Sequence, residues 1–521
     1  MDNGVHTVCT VLAVGGFMLN QINVRKVSHT YESSPETILN DVSATFPCGW
    51  TGVVGNNGTG KTTLLRIASG ELDGYEGCVS PNPSNYNGVY CAQPTEYLPD
   101  CAEEFVLDYS SDAVWLRSAL HVDEDWIWRF DTLSHGERKR LQIAVALWQN
   151  PAVLALDEPT NHIDAATREQ LTRALKSYDG VGLLVSHDRE LLDTLVSQCL
   201  FFEDDKVIMR PGSYSEARNQ SALERETVIH ERKNARARLQ QIHAEKARRA
   251  DTASKADAKL SKRTVDRKDH STKEQINLAK LTGQDGKAGK LSAQMDAKLK
   301  AAERRLAAAH VAKRYEGDIW ADGAPAKRKV LVDLPEGSIS MGERLLVHPT
   351  LYVGNTDRIG LSGQNGAGKS TLISAIMAAL PDDVRSHTLY IPQELTTREG
   401  KEIVAELRRL GKDERGRVLS LVAQLNSPPV RVLSGDSLSP GELRKVMLAM
   451  GIMRSPYLII MDEPTNHLDI HSVEALERAL SDCPCALILV SHDARFLSVL
   501  TEVSWSFTVD SATHDTAVNI R

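Results

Sequence analysis

The sequence predicts an α/β protein made of two tandem, doubly wound domains joined by a long, basic α-helical hairpin. Three observations predict it. Four short motifs occur twice in the same order, and the intervals from Ser134 to Glu158 and from Glu158 to His187 equal those from Ser439 to Glu463 and from Glu463 to His492. Each copy is set among short apolar runs that alternate with helical stretches, the pattern of a parallel sheet covered on both faces. Between the copies the chain turns polar, basic and rich in helix formers. At 521 residues the chain also exceeds what one hydrophobic core serves, so two large domains are the natural expectation.

Residues 1–17 come first and are expected to be a disordered or non-native lead. A second methionine, Met18, stands directly before the strand pattern Ile22-Asn23-Val24-Arg25-Lys26-Val27. The apolar stretch Val8 to Leu19 is broken by Gly15-Gly16 and has Asp2 upstream instead of basic residues, which makes a poor signal peptide. The first domain is placed at 18–216. Val53-Val54 ends a strand at Gly55-Asn56-Asn57-Gly58-Thr59-Gly60-Lys61-Thr62, and a helix follows from Thr62 to Ser69. Leu133-Ser134-His135-Gly136-Glu137 opens a second helix running to Trp148. Val153 to Leu156 is a buried strand ending in Asp157-Glu158-Pro159-Thr160-Asn161-His162, and Gly182 to Val185 is another, ending before Ser186-His187-Asp188.

The second domain, 316–521, repeats this series. Ile359-Gly360-Leu361 leads into Gly363-Gln364-Asn365-Gly366-Ala367-Gly368-Lys369-Ser370, and Leu438-Ser439-Pro440-Gly441-Glu442 follows. Leu458 to Met461 ends in Asp462-Glu463-Pro464-Thr465-Asn466-His467, and Leu487 to Val490 precedes Ser491-His492-Asp493. The linker, 217–315, has no proline and holds about 25 basic against about 12 acidic residues, while the whole chain has a net charge of -8. Its turn falls either at the glycine-containing stretch Thr282 to Lys290 or at Asp266 to Ser271.

Bulk properties narrow the function. The acidic balance excludes wholesale coating of nucleic acid, although a basic segment remains available for it. No apolar stretch approaches the roughly 20 residues that span a bilayer, so a soluble, cytoplasmic chain is expected. The eight cysteines are scattered, and Cys483-Pro484-Cys485 has no second pair to complete a zinc site, so it is read as packing.

The repeated motifs carry the chemistry. A glycine-rich loop lets successive backbone N–H groups converge on phosphate, and the following helix N-terminus adds its dipole. Lys61 and Lys369 are expected to reach the β- and γ-phosphates of ATP, with Thr63 and Thr371 extending the loops. The hydroxyls of Thr62 and Ser370 are placed to ligate Mg²⁺. Asp157 and Asp462 close apolar strands where a carboxylate can hold the Mg²⁺ shell. Glu158 and Glu463 are placed to polarise the attacking water, and His187 and His492 to sense the γ-phosphate.

These motifs together resemble the nucleotide-binding cassettes of the ABC superfamily. Two cassettes joined by a charged helical linker, with Asn-His after Glu-Pro-Thr in both halves, resemble the ABC-F proteins specifically. The resemblance covers nearly the whole chain from about Met18. It identifies Gln93 and Gln393 as Q-loop contacts to Mg²⁺ and water, and Asp164 and Asp469 as D-loop residues. It implies ATP sandwiched head to tail. Lys61, Glu158 and His187 would then work with Ser439, Gly441 and Glu442, and Lys369, Glu463 and His492 with Ser134, Gly136 and Glu137. Neither half would be a competent ATPase alone, and the protein would be a monomer with an intramolecular cassette pair.

Departures from the family pattern suggest unequal sites. His135 stands where the first signature usually has glycine, and Pro440 occupies that place in the second. Tyr31 lies where an adenine-stacking aromatic is expected, a buried core tyrosine being the alternative; the matching second-half stretch, Gly337 to Glu343, has no aromatic. Between Gln93 and Leu133, and between Gln393 and Leu438, there is no room for a large inserted arm.

The resemblance implies a ribosome-bound ATPase that modulates translation or protects against ribosome-targeting antibiotics, its linker reaching rRNA and peptidyl-tRNA. A basic hairpin on an acidic body fits insertion into RNA through phosphate contacts. The alternatives are the ATP-hydrolysing subunit of an exporter with a separate membrane partner and, last, a DNA-maintenance ATPase. The second of these lacks its sustained heptads here.

Overall fold

The computed structural model describes residues 19–32, 37–161, 163–203, 206–259, 284–308, 319–320, 324–342, 344–434, 438–510 and 513–521. The proposed lead at 1–17, His162 and the candidate turn at Asp266 to Ser271 lie outside them.

The first half is built on a six-stranded sheet in the order Gly88–Cys91, Val153–Asp157, Val181–Val185, Gly49–Gly55, Val196–Glu203, Lys206–Pro211. All neighbours are parallel except the last pair. Val153–Asp157 and Val181–Val185 are buried at every position, which is why they read as unbroken apolar runs. A separate antiparallel sheet, Thr37–Pro47, Gln21–Thr30 and Glu76–Ser80, carries the alternating pattern first seen at Ile22 to Val27. The second half has an eight-stranded sheet that ends in the order Arg358–Gly363, Ala486–Val490, Leu458–Asp462, Thr388–Ile391, reproducing that of the first.

Both strands that lead into a glycine-rich loop lie beside the strand that precedes Ser-His-Asp, so the loop and the histidine emerge from neighbouring strand ends. The helices Lys61–Ser69 and Lys369–Ala379 begin directly after Gly60 and Gly368, both in the left-handed region at φ 94° and 91°. A Cβ on Gly60 would meet Leu39 at 2.6 Å, and one on Gly368 would collide with the Met341 sulfur. Glycine is therefore required at both positions for conformation and for space.

The halves pack together within one compact unit, Met1–Ala217 with Arg314–Arg521. Ile470, from the second half, is buried in the hydrophobic core of the first. Arg189, with 4% of its side chain exposed, makes a two-pronged ion pair with Glu477 and lies 3.5 Å from Asp493. Removing one partner of such a pair leaves a buried charge uncompensated, so Arg189→Ala should cost about 3 kcal/mol of stability. Denaturant unfolding of the whole chain checks this, and a loss no larger than that of an exposed arginine would refute it.

A second unit, Arg218–Lys313, holds the linker. The helix Tyr214–Lys259 runs for 46 residues and a partner helix covers Gln284–Ala308. Lys246 Nζ bonds Asp296 Oδ1 at 2.7 Å, which pairs the two helices as a hairpin. Of the candidate turn at Thr282 to Lys290, Gln284 to Lys290 is helical, Gly286 and Gly289 included, and Thr282 and Gly283 are outside the described residues. No helix among the described residues is long and apolar enough to cross a membrane.

Candidate nucleotide sites

The two P-loop sites have the same framework. Lys61 Nζ donates to the carbonyls of Gly55 and Asn56 at 2.8 Å, and Lys369 Nζ to those of Gly363 and Gln364 at 2.7 and 3.0 Å. Each lysine thus curls over its own loop, and burial lowers the pKa of both. Thr62 Oγ1 donates to Asp157 Oδ2 at 2.6 Å, and Ser370 Oγ to Asp462 Oδ2 at 2.9 Å. The hydroxyl and carboxylate expected to share one cation therefore already meet, which fits a Mg²⁺ site at each loop.

Glu158 and Glu463 follow their strands in the left-handed region, at φ 49° and 47°. Their N–H groups donate to Val185 and Val490 at 2.8 and 2.9 Å, anchoring the kink to the neighbouring strand. A non-glycine residue in this conformation carries strain and is held by its surroundings. The kink follows directly on the buried aspartate, so two adjacent carboxylates occupy the strand end.

The environments of the two glutamates differ. His187 Nε2 lies 3.0 Å from Glu158 Oε1, and the His187 N–H donates to Glu158 Oε2 at 3.2 Å. Burial alone would raise the Glu158 pKa, but the His187 imidazole and Lys61 bring it below the ordinary glutamate value. At the second site His492 Nε2 is 3.4 Å from Glu463 and 2.9 Å from Asn365 Oδ1, with Lys369 Nζ 3.4 Å away. Burial pushes Glu463 up to about 8, against the pull of Lys369. Burial and Lys369 together push His492 down to about 4.

Tyr31 is partly exposed, its hydroxyl 3.2 Å from Thr63 Oγ1 beside the first loop and its ring edge-on to His29. It is therefore not a buried core tyrosine. Met341 reaches the corresponding glycine of the second loop. Asp164 and Asp469 cap the helices Ala165–Leu175 and Ile470–Ser481. Asp469 Oδ2 also accepts the Asn57 N–H at 3.3 Å, and the Asn57 amide donates to the His467 carbonyl at 3.2 Å. The second-half D-loop thus touches the first P-loop.

The signature residues behave differently. Ser134 and Glu137 close a capping box on the helix His135–Trp148, and Ser439 and Glu442 do so on Pro440–Ile452. Gly136 and Gly441 lie in the first turns of these helices. Among the described residues, no hydrogen bond joins a signature side chain to the opposite P-loop. Gln93 and Gln393 follow the strands Gly88–Cys91 and Thr388–Ile391 at the sheet edge, and Lys139 Nζ lies 3.5 Å from the Gln93 carbonyl.

Several site residues were not anticipated. Tyr90 donates its hydroxyl to Asp157 at 3.2 Å. Lys139, buried behind the first signature, donates to the Ala92 carbonyl at 2.7 Å, and burial lowers its pKa. Arg444, at the matching position, bonds the Glu463 and Asn466 carbonyls instead. Both lie five residues after a signature serine, a spacing that would have flagged them. Asn426 and Arg431, discussed below, carry no such signal. Cys483 and Cys485 are buried, with their Sγ atoms 2.9 Å apart.

Comparison with known proteins agrees with this geometry. The family model described as ABC transporter matches residues 39–161 and 346–466. The chain is 27% identical over 490 residues to the ribosome protection protein VmlR of Bacillus subtilis (strain 168), covering 91% of this chain and 84% of that protein. It is 26% identical over 527 residues to the energy-dependent translational throttle protein EttA of Haemophilus influenzae, covering 88% and 87%. Among solved structures it is similar to an RNase-L inhibitor, with a TM-score of 0.59 at 18% identity, over 95% of this chain and 90% of that one. Each half therefore carries an ATP-binding cassette of the kind that the ABC transporter model describes, and over most of its length the chain is similar to proteins of the ABC-F type.

Proposed function

We propose that this protein hydrolyses ATP at two sites, binds the ribosome, and uses the nucleotide cycle to modulate translation or to relieve inhibition by ribosome-targeting antibiotics. The observation that carries the reading is two complete P-loop, aspartate, glutamate and histidine sets in one chain, separated by a basic helical hairpin. End-to-end similarity to a ribosome protection protein supports it.

At each site the loop N–H groups and the helix dipole hold the phosphate chain, and Lys61 or Lys369 swings from its loop carbonyls onto phosphate oxygens. Thr62 with Asp157, and Ser370 with Asp462, would hold Mg²⁺, which would supply charge to stabilise the transferring phosphoryl group. Glu158 and Glu463 accept the proton of the attacking water, and His187 and His492 hold the γ-phosphate end of the site. Tyr31 stacks on the adenine of the first site. Gln93 and Gln393 approach the metal and water from the sheet edge. Ser439, Gly441 and Glu442 complete the site of Lys61, and Ser134, Gly136 and Glu137 that of Lys369. The linker, 217–315, makes phosphate contacts to rRNA and reaches peptidyl-tRNA, placing the monomer's work in the cytoplasm.

Pelleting through a sucrose cushion tests the reading. With a non-hydrolysable ATP analogue, the protein should travel with 70S ribosomes, and Lys61→Ala with Lys369→Ala should abolish this. Equal pelleting with and without the analogue would refute nucleotide-controlled ribosome binding.

A further inference from the structure

The first P-loop is approached from the second half by more than the D-loop. In the helix Pro429–Ser434, just upstream of the second signature, Arg431 points at Gly58. Its two Nη atoms lie 3.6 and 3.7 Å from the position a Cβ on Gly58 would take. The preceding turn is fixed to the same loop. Asn426 Nδ2 donates to Asn56 Oδ1 at 3.1 Å and to Asp469 Oδ1 at 3.3 Å. The arginine is therefore delivered by a segment that is itself hydrogen-bonded to the phosphate-binding loop.

Nothing structural accounts for a guanidinium in this place. The Arg431 residue is exposed and, among the described residues, has no ion pair or side-chain hydrogen bond. Its neighbour across the interface is a loop that already holds Lys61. Glu158, Asp469 and Asp157 already face Lys61, but among the described residues no carboxylate pairs with Arg431, and a guanidinium presents donors suited to phosphate oxygens. The second loop has no equivalent. Around Gly366 nothing described lies within 4 Å, and Arg129, upstream of the first signature, is bound to Asp125 at 2.8 Å.

We propose that Arg431 is a nucleotide-binding residue supplied across the cassette interface, contacting the phosphate chain of the nucleoside triphosphate held by the Lys61 loop, with no counterpart at the Lys369 loop. This rests on the reading of the P-loops as nucleotide sites. It gives the first site an added charge, so the first site holds triphosphate more tightly than the second.

Titration with the fluorescent analogue MANT-ATP tests this on the full chain. In a Lys369→Ala background, which leaves the first site, Arg431→Gln should weaken binding about tenfold. Arg431→Lys, which keeps the charge, should recover part of the loss. In a Lys61→Ala background, Arg431→Gln should change nothing. Thermal melting without nucleotide should be the same for all three residues at position 431, because the side chain is exposed. Unchanged affinity in the Lys369→Ala background, no recovery with lysine, or an equal loss in both backgrounds would overturn the assignment. The Lys61→Ala, Lys369→Ala double variant separates the two levels. If it no longer binds, the P-loop reading stands whatever Arg431 does, and if it binds as before, both fail.

Discussion

Replacing both Glu158 and Glu463 by glutamine should lower ATP turnover by at least about 100-fold, the range that loss of a positioned general base produces. Glutamine keeps the size of the side chain and an oxygen able to accept the bond that the His187 N–H now gives to Glu158. The left-handed backbone at both positions is anchored by N–H bonds to Val185 and Val490, which the substitution leaves in place. Binding should therefore survive while the chemistry stops, and the variant should remain on ribosomes with ordinary ATP. Of the single variants, Glu158→Gln should lose the larger share of turnover, because Glu158 is ionised in the nucleotide-free protein whereas Glu463 must first give up a proton. Phosphate release measured under saturating ATP checks all three. Turnover above a tenth of wild type in the double variant would remove these glutamates from the reaction.

The same contrast predicts opposite effects on stability. Glu463, pushed to about 8 by burial, holds a proton that the unfolded chain releases near 4.5. Between these values the folded state binds more protons than the unfolded state, so this group makes stability fall as pH rises from about 4.5 to about 8. Glu463→Gln removes the penalty, and without nucleotide it should gain about 4 kcal/mol over wild type at pH 8 relative to pH 5. Glu158 is depressed instead, so its contribution is present above about 4.5 and is lost as pH falls through its folded value. Glu158→Gln should thus be less stable than wild type at pH 8. Denaturant unfolding at the two pH values decides the matter, and parallel behaviour of the two variants would contradict the structure.

That divergence shows where the sequence stops being legible. Asp157-Glu158-Pro159-Thr160-Asn161 and its copy are identical, and the repeat alone located both strand ends, both loops and the pairing of Thr62 with Asp157. The glutamates nonetheless differ, because the residues that tune them arrive from elsewhere. His187 closes on Glu158, whereas His492 is drawn to Asn365, whose equivalent in the first loop, Asn57, bonds the His467 carbonyl instead. Asn426 and Arg431 were invisible for a related reason. Their reach depends on a helix packing angle, and no repeated spacing marks them. At the linker the glycines misled. Gly286 and Gly289 suggested a turn, yet glycine costs a helix only about 1 kcal/mol, which neighbours of high helix propensity can outweigh.

The helix Tyr214–Lys259 starts inside the cassette body. Tyr214 is buried and bonds Glu474 of the second half at 3.4 Å, while Ser215 is held by Asp193 of the first. Its 46 residues, at 1.5 Å each, make a rod about 69 Å long. At about three times the 12–15 residues below which an isolated helix is marginal, such a helix can hold its form without packing along its whole length.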